Sequence, residues 1–420
     1  MLLELKNTKS VLTWLICLSY IGMFFSIRIG NIALVPLLVF CLISVKPKDI
    51  LHTLRENAFS KIIVGLFLLQ VIGLSYTSNI SMGLFMLEKK ASFLLIPLLV
   101  LPLLQKVAID NRIIFLRLGY ITLLSSLVLL CIAVYKMLVL KAHNAFYFEN
   151  FTSIHYVYYS LYFAIGSLLL IDSLLETLLK RKYGFLILTL LFVYSLSIQI
   201  LVGSKTGIIG FCLASIFLLY QQIANKKLFA ISILVFFIST ALILYSNDTT
   251  RSRFVGLTED ASVLTQENLA GDDFVVTGLT LRLLFWKISL AHSWEDHPLL
   301  GAGTGDAQDY INSLLTLPKI QLNSFVNFDS HNQWVFTFVQ LGLIGILGMA
   351  WLFGKYFREA YRSLDLKLIS FLIITLGFSL SESILESNKG IIFFTLFFTI
   401  FSVPYSSTLP GLPDSQKASQ

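Results

Sequence analysis

Arg282-Leu283-Leu284-Phe285-Trp286, His297-Pro298-Leu299-Leu300-Gly301-Ala302-Gly303-Thr304-Gly305-Asp306 and Ser330-His331-Asn332-Gln333-Trp334 follow one another where a long polar stretch interrupts an otherwise apolar chain. The last of them opens an apolar run holding Gly342 and Gly345. A cation, a glycine-rich turn and a histidine at the mouth of a membrane helix are thus gathered within residues 282–345. The pattern predicts a helix from about 280 to 295, stopped by Pro298 and the glycines, and a second short helix from near Asp306. The apolar runs on either side read as scaffold for this segment.

Those runs set the fold class. Hydrophobic residues are 56% of the chain, charged residues 13%, and mean hydropathy is +0.80. Soluble domains are nearer a quarter charged. Apolar runs of about 16 to 24 residues recur along the whole length, the mark of an all-α polytopic membrane protein. The predicted spans are 11–27, 31–45, 61–76, 91–105, 113–137, 155–172, 184–202, 207–222, 228–245, 331–354, 367–383 and 389–405. That makes about twelve transmembrane helices. Residues 1–245 hold spans one to nine, 246–330 form a long extramembrane loop with short helices, 331–405 hold spans ten to twelve, and 406–420 read as a cytoplasmic tail. Lys6 and Lys9 precede the first run without a small-x-small cleavage site, so that run is expected to be a retained helix.

The net charge of +7 has a local explanation. Lys46, Lys48, Arg55 and Lys61, then Lys106 and Arg112, Lys180-Arg181-Lys182, Lys226-Lys227, and Lys355, Arg358, Arg362 and Lys367 fall on one face when twelve spans alternate. The positive-inside rule makes that face cytoplasmic and places 246–330 outside. The basicity therefore does not point to nucleic acid. Cys17, Cys41, Cys131 and Cys212 all lie in apolar runs with no ligand spacing, so neither disulfide nor zinc is implied.

Several polar residues carry possible chemistry. His331 is a candidate base or merely a helix-end histidine beside Asn332. Arg282 and Trp286 are four apart and share a helix face, and a guanidinium suits phosphate. Lys205, in Gly203-Ser204-Lys205-Thr206-Gly207, holds a phosphate or anchors in the headgroup layer. Lys89, Lys90, Arg28 and Lys389 are cations on the outer face, against the trend, where anionic lipid phosphates would account for them. Glu382 and Glu386, again four apart, pair with a cation or form an acid pair. The turn 301–305 is a phosphate nest or a tight turn, and not a nucleotide loop, since no strand precedes it and no GK[ST] follows. No metal and no cofactor is expected. Spans nearly free of ionisable residues weigh against an ion-coupled transporter. Together these residues point to a membrane enzyme for a lipid-linked, phosphate-bearing substrate.

The ordered motifs resemble the O-antigen ligase-like membrane protein family, which also holds O-antigen polymerases. Ser204-Lys205-Thr206-Gly207 resembles its Ser-Arg-x-Gly turn, with Lys in place of Arg. Arg282-x-x-x-Trp286 and Pro298 to Gly305 resemble its long-loop motif, His331-Asn332-Gln333 with Gly342-x-x-Gly345 its next-helix motif, and Glu382 to Phe394 its late-helix motif. Leu87-Glu88-Lys89-Lys90 and His155-Tyr156 resemble elements of one subgroup. The resemblance implies a metal-independent, inverting glycosyltransferase of the bacterial inner membrane. It would move a glycan from an undecaprenyl-diphosphate carrier to the lipid A–core acceptor of lipopolysaccharide on the periplasmic side. A glycan polymerase of the same superfamily, or a non-enzymatic lipid-glycan transporter, are the alternatives. His331 and Arg282 would be catalytic, with neighbouring cations keeping His331 neutral. Arg282 and Lys205, helped by Lys89, Lys90, Arg28 or Lys389, would bind the diphosphate.

This topology predicts that reporter fusions at residues 182, 227 and 362 read cytoplasmic and one at residue 270 reads periplasmic. A cytoplasmic reading at 270 would place the candidate site on the wrong face.

Overall fold

The computed structural model describes residues 2–403, except 143, 144, 147, 153 and most of 224–277, where only Lys227, Ala230, Ile231, Leu234 and Ile238 are described. The predicted span 228–245, the first part of the long loop and the tail therefore lie outside the described residues.

All regular structure among the described residues is helical. In order, the helices are α1 (Leu2–Phe25), α2 (Ile27–Ser44), α3 (Pro47–Glu56), α4 (Ala58–Leu74), α5 (Ile80–Lys90), α6 (Ser92–Leu95), α7 (Leu101–Val107), α8 (Asn111–Leu138), α9 (Glu149–Thr152), α10 (Tyr156–Leu179), α11 (Gly184–Val202) and α12 (Lys205–Gln222). Beyond the undescribed stretch come α13 (Gly278–Asp296), α14 (Ala307–Leu315), α15 (Gln333–Ser363), α16 (Leu366–Ser381) and α17 (Asn388–Phe401).

Six of these are long and apolar enough to cross a membrane, or seven if α3 and α4 count as one span bent by 96°. This is a multi-pass membrane protein, and among the described residues fewer helices reach full span length than hydropathy alone suggests. The difference lies in how apolar runs are used. The run at 91–105 is split, because a π-helical turn at Ile96–Val100 separates α6 from α7. Pro97 and Pro102 cannot donate to an α-helical ladder, and the wider turn absorbs the gap. The apolar helices Lys205–Gln221, Leu366–Ser381 and Asn388–Phe401 are shorter than a usual span.

Helix α17 forms the centre. Every residue from Gly390 to Phe401 is buried, as expected of a helix apolar all round. Its rings pack outward in sequence: Phe393 against Tyr162 at 4.8 Å, Phe397 against Phe371 at 5.7 Å and Phe398 against Phe59 at 5.7 Å. Asn111, capping no helix of its own, donates from Nδ2 to the Ile400 and Val403 carbonyls at the end of α17. The Ile400 carbonyl also accepts the Val403 N–H at 3.3 Å, and the Asn111 amide completes the hydrogen bonding of this helix end.

Helix α15 is broken. Gly342 has φ 62° and ψ −156° inside it, which separates Gln333–Leu341 from the longer remainder. The break leaves carbonyls before it and N–H groups after it without helical partners. The segment 298–303 supplies them. Leu343 N–H donates to the Pro298 carbonyl at 2.9 Å and Ile344 N–H to Leu299 at 3.3 Å. In return Ala302 N–H donates to Val339 at 2.7 Å and Gly303 N–H to Gln340 at 3.1 Å. Backbone breaks at membrane depth persist only when protein satisfies them in this way. The approach is so close that a Cβ at Gly342 would lie 2.3 Å from the Leu299 carbonyl carbon, and one at Gly301 would lie 2.5 Å from that of Gln340.

Helices α13 and α14 match the two predicted loop helices. Leu284, Phe285 and Ile288 of α13 and Ile311, Leu314 and Leu315 of α14 form a small core that rests on Phe336 and Val339 of α15. The loop is thereby seated on the first half of the broken helix. Trp286, one turn after Arg282, packs against the edge of this core.

Gly342→Ala and Gly301→Ala combine a positive φ with a backbone overlap, so each is expected to lower stability by about 1–3 kcal/mol or more. Gly354 lies in the same helix with open space around it. Gly354→Ala is expected to be neutral or to stabilise by up to about 1 kcal/mol. Thermal unfolding of the purified variants in detergent checks both.

Candidate active site

Four consecutive side chains fasten the start of α15 to the end of α16. Asn332 caps α15, its Oδ1 accepting from Trp334 N and Val335 N, while its Nδ2 donates to the Leu380 carbonyl at 3.0 Å. Gln333 accepts the Leu385 N–H at 2.7 Å and donates to Glu386 at 3.0 Å. Trp334 Nε1 donates to Ser379 Oγ at 2.9 Å. His331 joins the same set through Nδ1, 3.0 Å from Glu382 Oε2. The motif His331-Asn332-Gln333-Trp334 is therefore a clamp on residues 379–386.

His331 is held in an unusual backbone state. Its φ is +45°, a left-handed conformation that non-glycine residues seldom adopt. Asp329 stabilises it by accepting the His331 N–H at 2.7 Å. Trp286 fixes the same loop from the other side, its Nε1 donating to the Ser330 carbonyl at 2.8 Å. One turn earlier on α13, Arg282 Nη2 lies 2.8 Å from Glu382 Oε1. The spacing Arg282-x-x-x-Trp286 thus has a geometric meaning: Trp286 positions the histidine loop and Arg282 reaches the carboxylate that the histidine also uses.

Glu382 is the shared partner. It caps α16 at its C-terminal end and is 13% exposed, against 28% for Arg282 and 32% for His331. One carboxylate oxygen faces the guanidinium and the other the imidazole. The Glu382 hydrogen bond holds His331 above the usual imidazole range, with Asp329 adding to it and burial and Arg282 opposing. This reverses the expectation that neighbouring cations keep His331 neutral, because the cation nearest it is already matched by the carboxylate. Nδ1 is committed to Glu382. Nε2 makes no hydrogen bond with the described residues.

Other charged groups surround this trio. Lys205 is the first residue of α12, and the adjacent Thr206 Oγ1 donates to Ser381 Oγ at 2.8 Å, so the Lys205 turn abuts the residue before Glu382. Lys389, at the start of α17, lies 5.3 Å from the centre of the Tyr158 ring. His155, just before α10, lies in the field of Glu382, Lys389 and His331, and burial pushes its imidazole down. The amino ends of α10, α12, α15 and α17 therefore converge here, and their dipoles favour a bound anion.

Three expected phosphate ligands have other surroundings. Lys90 is 2% exposed, and its Nζ lies 2.9 Å from both carboxylate oxygens of Glu386. It also donates to Gln340 Oε1 at 2.9 Å, which accepts from Gln70 at 2.8 Å. Gln340 Nε2 in turn donates to the Thr304 carbonyl at 3.1 Å. Lys90 thus lies in a buried chain that ties the 384–386 turn to the break in α15. Arg28 stands exposed at the first turn of α2, and none of these contacts reaches it. Lys89 is half-buried, 4.4 Å from the centre of the Phe85 ring.

The glycine turn is not a phosphate nest. Its N–H groups are all used: Gly301 on His297, Ala302 on Val339, Gly303 on Gln340, Thr304 on Gly73 and Gly305 on Thr77 Oγ1. Gln70, Gln340 and Asp329 are site residues that the sequence motifs do not include. Amides inside apolar runs were the available signal, since a polar group at that depth needs a partner.

Residues 190–350 match the family model described as O-antigen ligase. No curated protein matches the chain. The matched segment contains Lys205, Arg282, Trp286, the glycine turn, His331 and Gly342, whereas Lys90, Glu382 and Glu386 lie beyond it.

Removing one member of the buried Lys90–Glu386 pair leaves an uncompensated charge. Lys90→Met is expected to cost about 3–5 kcal/mol, and Lys90→Met with Glu386→Gln to recover most of it. Thermal unfolding of the two variants measures this; a wild-type melting curve for Lys90→Met would remove the pair from the scaffold.

Proposed function

We propose, from the O-antigen ligase family domain carried over residues 190–350, that this chain transfers a glycan from an undecaprenyl-diphosphate carrier to the lipid A–core of lipopolysaccharide. The reaction takes place on the periplasmic face of a bacterial inner membrane. In this reading the short helices α12, α16 and α17 also cross the membrane, giving about twelve passes with both termini cytoplasmic. The observation that carries the proposal is the pair Arg282 and His331 meeting on Glu382.

A carrier would need cations for the diphosphate but no base beside them. Here the cation and the base share one carboxylate. Arg282, with Lys205 at the adjoining turn and Lys389 nearby, binds the donor diphosphate and stabilises charge as it leaves. Glu382 holds the Nδ1–H tautomer of His331, so Nε2 takes the proton of the acceptor hydroxyl. That oxygen attacks the anomeric carbon from the face opposite the diphosphate. The new glycosidic bond forms as the bond from the anomeric carbon to the phosphate oxygen breaks, with inversion. The proton stays on the imidazole, beside the Glu382 carboxylate, until solvent removes it. No metal takes part in this scheme, so transfer continues in excess EDTA.

Lipopolysaccharide gels of a deletion strain test the reading. Ligase loss leaves bare core with polymer stranded on its carrier, whereas core bearing a single repeat would make the chain a polymerase. In purified protein, Arg282→Ala is expected to weaken undecaprenyl-diphosphate binding as well as turnover, and His331→Ala to cut mainly turnover, by roughly 10²–10⁴-fold. The base must be unprotonated and its pKa is raised above 6.5 by Glu382. Transfer should therefore fall as pH drops through that raised value, placing the acid limb above 6.5. Wild-type turnover in His331→Ala would refute the assignment.

A further inference from the structure

We infer that Glu382 is a positioning residue that couples the base to donor occupancy: it holds Arg282 and His331 together in the empty site, and an arriving diphosphate takes Arg282 and leaves the carboxylate to His331. The inference rests on the function proposed above, and extends it to how the two halves of the site communicate.

The two contacts of Glu382 differ in what stands behind them. His331 and Glu382 belong to one clamped unit, since Asn332, Gln333 and Trp334 bond to Leu380, Leu385, Glu386 and Ser379 on either side of the carboxylate. Glu386 is further anchored to buried Lys90. Arg282 reaches in from a separate helix, and α13 is tied to this unit through Trp286 and the Ser330 carbonyl. Arg282 gives Glu382 a single nitrogen, Nη2. A guanidinium has five N–H donors, so most of its fork is uncommitted to the carboxylate. A phosphate that engages two of them makes the stronger contact. Of the two contacts, the one to Arg282 is therefore the one a donor exchanges.

The exchange has a chemical result. While Arg282 neutralises Glu382, the carboxylate stabilises the imidazolium less. Once Arg282 turns to the diphosphate, the full carboxylate charge faces Nδ1, and proton uptake at Nε2 becomes easier. The histidine is then a stronger base when a donor is present, which limits unproductive chemistry at an empty site. The charged and titratable groups facing His331 are Glu382 at the end of α16, Asp329 from its own loop, Arg282 from α13 and His155 ahead of α10, which itself lies in the field of Lys389. Of these, Glu382 alone contacts both catalytic side chains.

The test separates binding from turnover in Glu382→Gln and Glu382→Asp. Binding of undecaprenyl diphosphate in detergent is measured beside glycan transfer, its pH profile and thermal stability. Glu382→Gln is expected to bind the diphosphate as tightly as wild type or more tightly, because no carboxylate competes for Arg282. Its turnover should fall roughly a hundredfold or more, the scale of a general base's contribution, and its acid limb should move to lower pH. Glu382→Asp should restore part of the rate. A purely structural residue would instead lose stability, binding and turnover together, and that outcome overturns the inference. So does weaker diphosphate binding in a normally folded Glu382→Gln, or an unmoved acid limb. If the wild-type protein itself transfers no glycan, the function proposed above fails; if wild type transfers and Glu382→Gln matches it, this inference alone fails.

Discussion

A helix broken at Gly342 must place its freed backbone groups somewhere, and in an apolar setting water is not available to take them. Much of the rest follows from that requirement. The 298–303 segment lies against the break because its carbonyls and N–H groups meet those of Val339, Gln340, Leu343 and Ile344. Gln340, at the break, turns its side chain to Lys90, Gln70 and Thr304. Lys90 holds Glu386, and Glu386 helps set the turn that carries Glu382. The histidine loop closes on that turn. The site is thus the far end of a chain of hydrogen bonds that begins with an unsatisfied main chain.

Local pattern carried much of the fold. The run 184–202 is α11 within its own limits, and the loop helices predicted near 280 and 306 are α13 and α14. Periodicity and caps are short-range properties, so short-range reading finds them. What stayed hidden is how an apolar run is spent. The prolines at 97 and 102 divide one predicted span, and Gly342 divides another. Hydropathy sums over a window and does not register such breaks.

The site was legible as a set of residues and not as a set of pairs. Arg282, His331 and Glu382 stood out by type and position, yet Arg282 and Glu382 are 100 residues apart and nothing local joins them. Lys90 resembled a headgroup cation because its partner lies at the other end of the chain. The glycine turn resembled an anion nest because exposed N–H groups and consumed ones look identical in one dimension. The amides of Gln70 and Gln340 gave no signal because they carry no charge. In a low-dielectric interior they bring polar contacts without the desolvation cost of ions.

The Lys90–Glu386 contact also sets a condition on biosynthesis. The two residues are 296 positions apart. Chains emerge from the ribosome at about 5–20 residues per second, so the lysine is made roughly 15–60 seconds before its carboxylate exists. Through that interval α5 holds a cation whose permanent partner has not been synthesised. Burial of Lys90 in the form seen here is therefore completed only once the turn at 384–386 has been made.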